Sequence, residues 1–92
     1  MRRKAKVDSN QRSIVTELRE RGFSVAVTSQ LGNGFPDIVV GKRGANLLVE
    51  LKDGDKPPSA QKLTADELKF AVTWRGSVIV ARDVDEVLKW FG

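Results

Sequence analysis

Phe35-Pro-Asp-Ile-Val-Val-Gly-Lys-Arg-Gly-Ala-Asn-Leu-Leu-Val-Glu-Leu-Lys52 is the stretch on which the reading of this chain turns. Two β-rich runs, Asp37 to Val40 and Asn46 to Lys52, flank the turn residues Gly41-Lys-Arg-Gly44, which is the pattern of a hairpin. If the strands pair symmetrically about Arg43-Gly44, Val40 faces Leu47 and Asp37 faces Glu50. Directly opposed residues project from the same face with Cβ atoms about 4.5–5.5 Å apart. Lys52 stands two residues beyond Glu50 and shares that face. Two carboxylates and an ammonium therefore meet where the strand pair begins. A one-residue bulge at the glycines would break this alignment.

Opposed like charges destabilise a sheet unless something neutralises them. Lys52 does so in part, and a divalent cation would do so more fully. Carboxylate oxygens with no soft ligand nearby suit Mg²⁺ or Mn²⁺ rather than zinc. A surface ion pair between Lys52 and one of the acids is the other reading of the same residues.

Working outward, Asp8 to Arg21 has helical spacing, with Asp8 as N-cap, Ile14, Val15 and Leu18 on one face and Gly22 as the terminating glycine. Gln11 falls in the middle of that apolar face. Such a residue is either a satisfied core glutamine or an amide oxygen directed at whatever the acidic hairpin holds. Phe23 to Val27 alternates as a strand and leads into the turn-rich Thr28 to Gly34. Beyond the hairpin, Asp53 to Ser59 reads as a loop. Thr64-Ala-Asp-Glu67 is a capping-box pattern opening a helix to about Trp74, with Leu68, Ala71 and Val72 expected to face inward. Ser77 to Ala81 is a short strand, and Asp83 starts a last helix carrying Val84, Val87, Leu88 and Phe91. The order α-β-β-β-α-β-α describes one small α/β layered domain over residues 1–92, with 1–7 as a basic arm.

Composition narrows the chemistry. The 92 residues include no Cys, His or Tyr. That excludes thiolate nucleophiles, imidazole bases, Ser-His-Asp triads and zinc sites built from Cys or His. Carboxylates, lysine, hydroxyls, amides and an oxygen-seeking cation remain. The net charge is +4, and Arg2, Arg3, Lys4 and Lys6 crowd the start. This basic start is either a solvated terminus or a contact for a polyanion such as nucleic acid. No apolar run approaches the roughly 18 residues that a membrane span needs. The basic start has no apolar stretch behind it, so a soluble protein of the cytoplasm is expected, in a bacterium or a phage-infected cell.

Pro36-Asp37, then twelve residues, then Glu50-Leu-Lys52 matches the Pro-Asp…Glu-x-Lys signature of the PD-(D/E)xK nuclease superfamily. Gly32-Asn-Gly-Phe-Pro-Asp-Ile38, Leu48-Val-Glu-Leu-Lys-Asp-Gly54, Lys62-Leu-Thr64, Trp74-Arg-Gly76 and Val78-Ile-Val80 together resemble stand-alone VRR-NUC proteins. The similarity extends to Holliday-junction-resolving enzymes and covers roughly residues 8 to 90. The resemblance implies a restriction-endonuclease-like core with a small mixed four-stranded sheet flanked by helices. It also implies a homodimeric endodeoxyribonuclease that uses Mg²⁺ or Mn²⁺ and selects branched DNA, four-way junctions among them.

Carried over, Asp37, Glu50 and the Leu51 carbonyl would bind one or two cations. Lys52 would position or help deprotonate the attacking water and stabilise charge on the phosphate. Two positions depart from the related enzymes. They carry Glu where this chain has Gln11, which leaves the ligand set one negative charge short. They tend to have Gln where this chain has Glu67, which either serves as the capping-box acid or supplies the absent carboxylate. Gly32 and Gly34 would admit a phosphate without Cβ obstruction, and Lys42, Arg43, Lys56 and Lys62 are candidate phosphate contacts. With only six Phe and Trp, most of them suited to core positions, base stacking is not expected. Trp74, Trp90 and Phe91 are candidates for the core or for a dimer surface. The competing expectations are a nuclease-like DNA-binding protein that does not cut, and a small basic RNA-binding or structural protein.

Overall fold

The computed structural model describes residues 10–92. The basic arm over 1–7 and the expected Asp8 cap lie outside the described residues. Helix α1 (Gln11–Glu20) is followed by strands β1 (Ser24–Val27), β2 (Ile38–Lys42) and β3 (Ala45–Leu51), a 3₁₀ turn (Pro58–Gln61), helix α2 (Ala65–Thr73), strand β4 (Val78–Ala81) and helix α3 (Val84–Phe91). The sheet order is β1-β2-β3-β4. The first three strands form an antiparallel meander, and β4 returns parallel to β3, so the sheet is mixed as expected.

Local chemistry explains the ends of the helices. Gly22, at φ 91°, lets the Gly22 and Phe23 amides turn back onto the carbonyls of Arg19 and Leu18 at 3.0 Å each, the paired bonds of a Schellman ending. At the start of α2 both bonds of the capping box form: Thr64 N donates to Glu67 Oε1 at 2.9 Å and Glu67 N to Thr64 Oγ1 at 3.2 Å. Asp83 caps α3 by accepting from Glu86 N at 2.9 Å. Asn10, which precedes α1, leaves its own helix uncapped. Its side-chain amide instead donates to the carbonyls of Lys52, at 3.1 Å, and Arg82, at 3.3 Å, tying the start of α1 to the ends of β3 and β4.

Pleating sorts β3 into two sets. Leu47, Val49 and Leu51 join Ile38 and Val40 of β2 in a core sealed by Ile14, Val15 and Leu18 of α1 and Val84 and Val87 of α3. Leu48, Glu50 and Lys52 point the other way, toward α2. This second layer is thin, since α2 buries no residue at all. Leu68 is 53% exposed and Val72 72%, contrary to the inward facing expected of them. Glu67, Phe70 and Ala71 are the half-buried residues of that helix. The helix is turned by an aromatic cluster in which Phe70 stacks on Trp74 at 5.0 Å and meets Phe35 edge-on at 5.0 Å. Trp74 and Trp90 are both substantially exposed, so the core reading fails for the two tryptophans; Phe91 is half-buried against Phe23. The 3₁₀ turn (Pro58–Gln61) overlaps only the end of the expected loop, Asp53 to Ser59, and runs two residues past it. It is held by Gln61, whose amide donates to the Lys56 carbonyl at 2.6 Å.

Candidate active site

The hairpin registers as the symmetric turn requires. Ile38 pairs with Val49, Val40 with Leu47 and Lys42 with Ala45. Arg43 (φ 54°) and Gly44 (φ 81°) occupy the left-handed conformations of a two-residue primed turn, and no bulge intervenes there. Asp37 and Glu50 therefore arrive at the same end of the pair. At that end the ladder gives way to side chains. Asp37 N donates to the Val49 carbonyl at 3.0 Å, and Asp37 Oδ2 accepts from Leu51 N at 2.7 Å. The Asp37 carboxylate thus pins the strand next to Glu50 as well as facing it.

Glu50 and Lys52 are 7% and 8% exposed, an unusual depth for charged groups. Lys52 Nζ lies 3.0 Å from Glu67 Oε1 and 3.7 Å from Glu50 Oε2. Burial pushes the Glu50 carboxyl up, and the negative charges of Asp37 and Glu67, with hydrogen bonds to both, push it further, to about 9. Without a cation, Glu50 at neutral pH keeps a proton between two other acids. Burial alone would also raise the Glu67 carboxyl. The Thr64 amide, Lys52 and the bond from Glu50 together outweigh that and hold it below the usual carboxylate range. One carboxyl protonated and its neighbour ionised beside an ammonium is a compact, charge-balanced arrangement. The structure thus draws Glu67 into the cluster through Lys52.

The backbone of the cluster is clamped on both sides. Lys52 N donates to the Ala81 carbonyl at 3.0 Å, and the Lys52 carbonyl accepts from Asn10. The start of α1 therefore adjoins the site, and Gln11 is buried there at 5% exposure. Its Nε2 donates to Ser29 Oγ at 3.5 Å, while its Oε1 is buried with no hydrogen-bond partner. An orphaned buried acceptor costs roughly 1–3 kcal/mol, and a cation or an ordered water would relieve that. Ser29 was not anticipated; its place in the turn-rich stretch after β1 gave no signal beyond turn propensity. Among the described residues no group of three or more carboxylates is arranged to hold a metal ion. A donor set built on Asp37, Glu50, the Leu51 carbonyl and Gln11 Oε1 needs only two carboxylates, and the orphaned amide oxygen fits it.

The other candidates separate by position. A Cβ on Gly34 would strike the Asp66 carbonyl, and it would come within 2.8 Å of Glu67 N, so the first turn of α2 occupies the space that the glycine leaves. Gly32 (φ 75°) has nothing within 4 Å. Lys56 and Lys62 belong to the segment running from Lys52 to α2, at the Glu50 end of the sheet. Lys42 and Arg43 sit at the opposite end of the hairpin, about 17 Å of extended strand from Glu50. Lys42 is engaged there, donating to the Arg21 carbonyl at 3.1 Å and lying 4.4 Å over the Phe23 ring. A small pocket of about 60 Å³ opens between α2 and β4 beside the site, with Glu50, Glu67, Phe70 and Val80 in its wall.

No curated protein shows a significant match to the sequence. The family model for archaeal Holliday junction resolvases (hjc) matches residues 2–90. With nearly the whole chain covered, and with the mixed sheet and its acidic hairpin in place, this protein belongs to the archaeal Holliday junction resolvase family, whose members are resolvase-type nucleases.

Proposed function

We infer that the protein is a divalent-metal-dependent, structure-selective endodeoxyribonuclease that hydrolyses phosphodiesters at four-way junctions or other branched DNA, using Mg²⁺ or Mn²⁺. The observation that carries this reading is the convergence of Asp37, Glu50 and Lys52 at one end of the β2–β3 pair, with the Glu50 carboxyl pushed up by burial and then by the neighbouring acids. Asp37, Glu50, the Leu51 carbonyl and Gln11 would hold the cation. When bound, the cation supplies Lewis acidity toward the phosphate and neutralises charge that develops on it. To serve as a ligand Glu50 would release its proton to solvent. Lys52, already held near the carboxylates, orients the attacking water and offsets charge on the phosphate oxygens.

Backbone and shape recognition follow from the charge distribution. Lys56 and Lys62 flank the active end, and the arm with Arg2, Arg3, Lys4 and Lys6 adds phosphate contacts. The chain acts as one domain of the compact VRR-NUC type. It pairs as a homodimer, so that two sites related by a two-fold axis cut opposing strands. Cleavage of synthetic four-way junctions and of linear duplexes by the purified protein, with Mn²⁺ or Mg²⁺, tests this. Nicking of the junction above an Asp37→Asn control is expected, and equal products from both proteins would refute the assignment.

A second reading, a DNA-binding relative that does not cut, draws on Gln11 in the ligand set and on the Glu67–Lys52 pair. It requires affinity that falls steeply with salt and no turnover with any divalent cation.

A further inference from the structure

We propose that Glu67 is the positioning residue for Lys52, one carboxylate oxygen serving at once as the cap of α2 and as the anchor of the lysine. The proposal rests on the reading of Lys52 as a catalytic group. Glu67 Oε1 accepts from Thr64 N at 2.9 Å and from Lys52 Nζ at 3.0 Å. The first bond is local. The second crosses from α2 to the far end of β3 and is much shorter than the 3.7 Å separating Lys52 from Glu50.

A capping acid on an ordinary surface helix points into solvent. Here the Glu67 side chain is 20% exposed and its lysine partner 10%, so the pair lies within the layer between α2 and the sheet. A lysine has a flexible four-carbon stem and a point charge that many geometries satisfy. An acceptor fixed by a helix N-terminus removes most of that freedom. Glu67 also stands outside the donor set proposed for the cation. With Glu50 engaged as a ligand, Glu67 would still hold the ammonium, at 3.0 Å. The helix end is located in turn by Gly34, which lies so close to the backbone of Asp66 and Glu67 that a side chain there would displace it.

Three variants separate positioning from helix capping. Glu67→Ala removes both contacts; Thr64→Ala loosens the cap but leaves Glu67; Glu67→Gln preserves an acceptor oxygen for both donors. Single-turnover cleavage of a four-way junction with Mn²⁺ should slow about tenfold or more in Glu67→Ala, with affinity for the same junction in Ca²⁺ changed by less than about twofold, because misplacing a reacting group costs rate rather than binding. Glu67→Gln should remain within about threefold of wild type, and Thr64→Ala should do the same even if its melting temperature falls as far as that of Glu67→Ala. Wild-type rates in Glu67→Ala, or equal losses in Thr64→Ala, would overturn the proposal. So would a Glu67→Gln as slow as the alanine variant.

A second readout needs no activity. Labelling of Lys52 by an amine-reactive reagent, measured by mass spectrometry against exposed Lys62, should accelerate about tenfold in Glu67→Ala and not in Thr64→Ala, since a paired, buried ammonium reacts slowly. Unchanged labelling would overturn the positioning role. If no variant, wild type included, cuts DNA, the nuclease reading fails, and the labelling rates still decide what holds Lys52.

Discussion

The two faces of β3, with Lys52 just beyond it, come from one short run of sequence and behave as different materials. Leu47, Val49 and Leu51 enter an apolar cluster, with Gln11 as the buried polar residue on α1 beside it, in which Leu18, Ile38, Val40 and Val87 are completely covered. Leu48, Glu50 and Lys52 face a helix with no buried residue and a polar cluster that balances its charge by sharing a proton. Strand periodicity alone makes the division, because adjacent side chains must alternate. Stability is concentrated on the α1–α3 side, which frees the α2 side to hold groups that a packed core would reject.

The largest expected contrast is chemical. Asp37→Asn keeps an oxygen for the Leu51 amide and should melt close to wild type, yet it should lose about 10²–10³-fold in cleavage rate through the missing charge. Asp37→Ala should lose both activity and melting temperature. Next comes the supporting face. Leu18→Ala should cost about 2–5 kcal/mol in urea unfolding, because a fully covered side chain leaves a cavity. The opposite face should not respond in this way: Val72→Ser on exposed α2 should change stability by no more than about 0.5 kcal/mol.

Between these lies a pH effect confined to the polar face. Glu50 binds its proton far more tightly in the folded protein, near 9, than in the unfolded chain, near 4.5. From pH 5 to 9 the native state therefore carries the extra proton, and the stability of the metal-free protein should fall as pH rises through that window. Glu50→Gln should flatten the slope in thermal melts. A cation competes with the same proton, so Mn²⁺ should raise the melting temperature of wild type more at pH 8 than at pH 6.

The hairpin and its acids were legible in the sequence because a two-residue turn and a period of two leave little freedom once the turn residues are recognised. The capping box of α2 was equally plain, being local chemistry. The facing of that helix was not. Leu68 and Val72 have the spacing of a buried stripe, but orientation is set by the close approach of Gly34 to the helix backbone and by the contact of Phe35 with Phe70 and Trp74, residues more than thirty positions apart in sequence. The link from Lys52 to Glu67 depends on the same docking, so sequence spacing identified Glu67 as a cap without revealing its partner. Gln11 was correctly placed on the sheet-facing side of α1. Its unsatisfied oxygen is visible only once the surroundings are assembled.

Arg43 adopts a backbone angle that side chains other than glycine and asparagine resist, at the turn that decides which acid meets which. The protein thus tolerates conformational tension far from its chemistry in order to keep two strands in step. Arg43→Asn would relax that tension without altering the turn, which makes a remote surface loop a handle on stability that leaves the acidic end of the hairpin untouched.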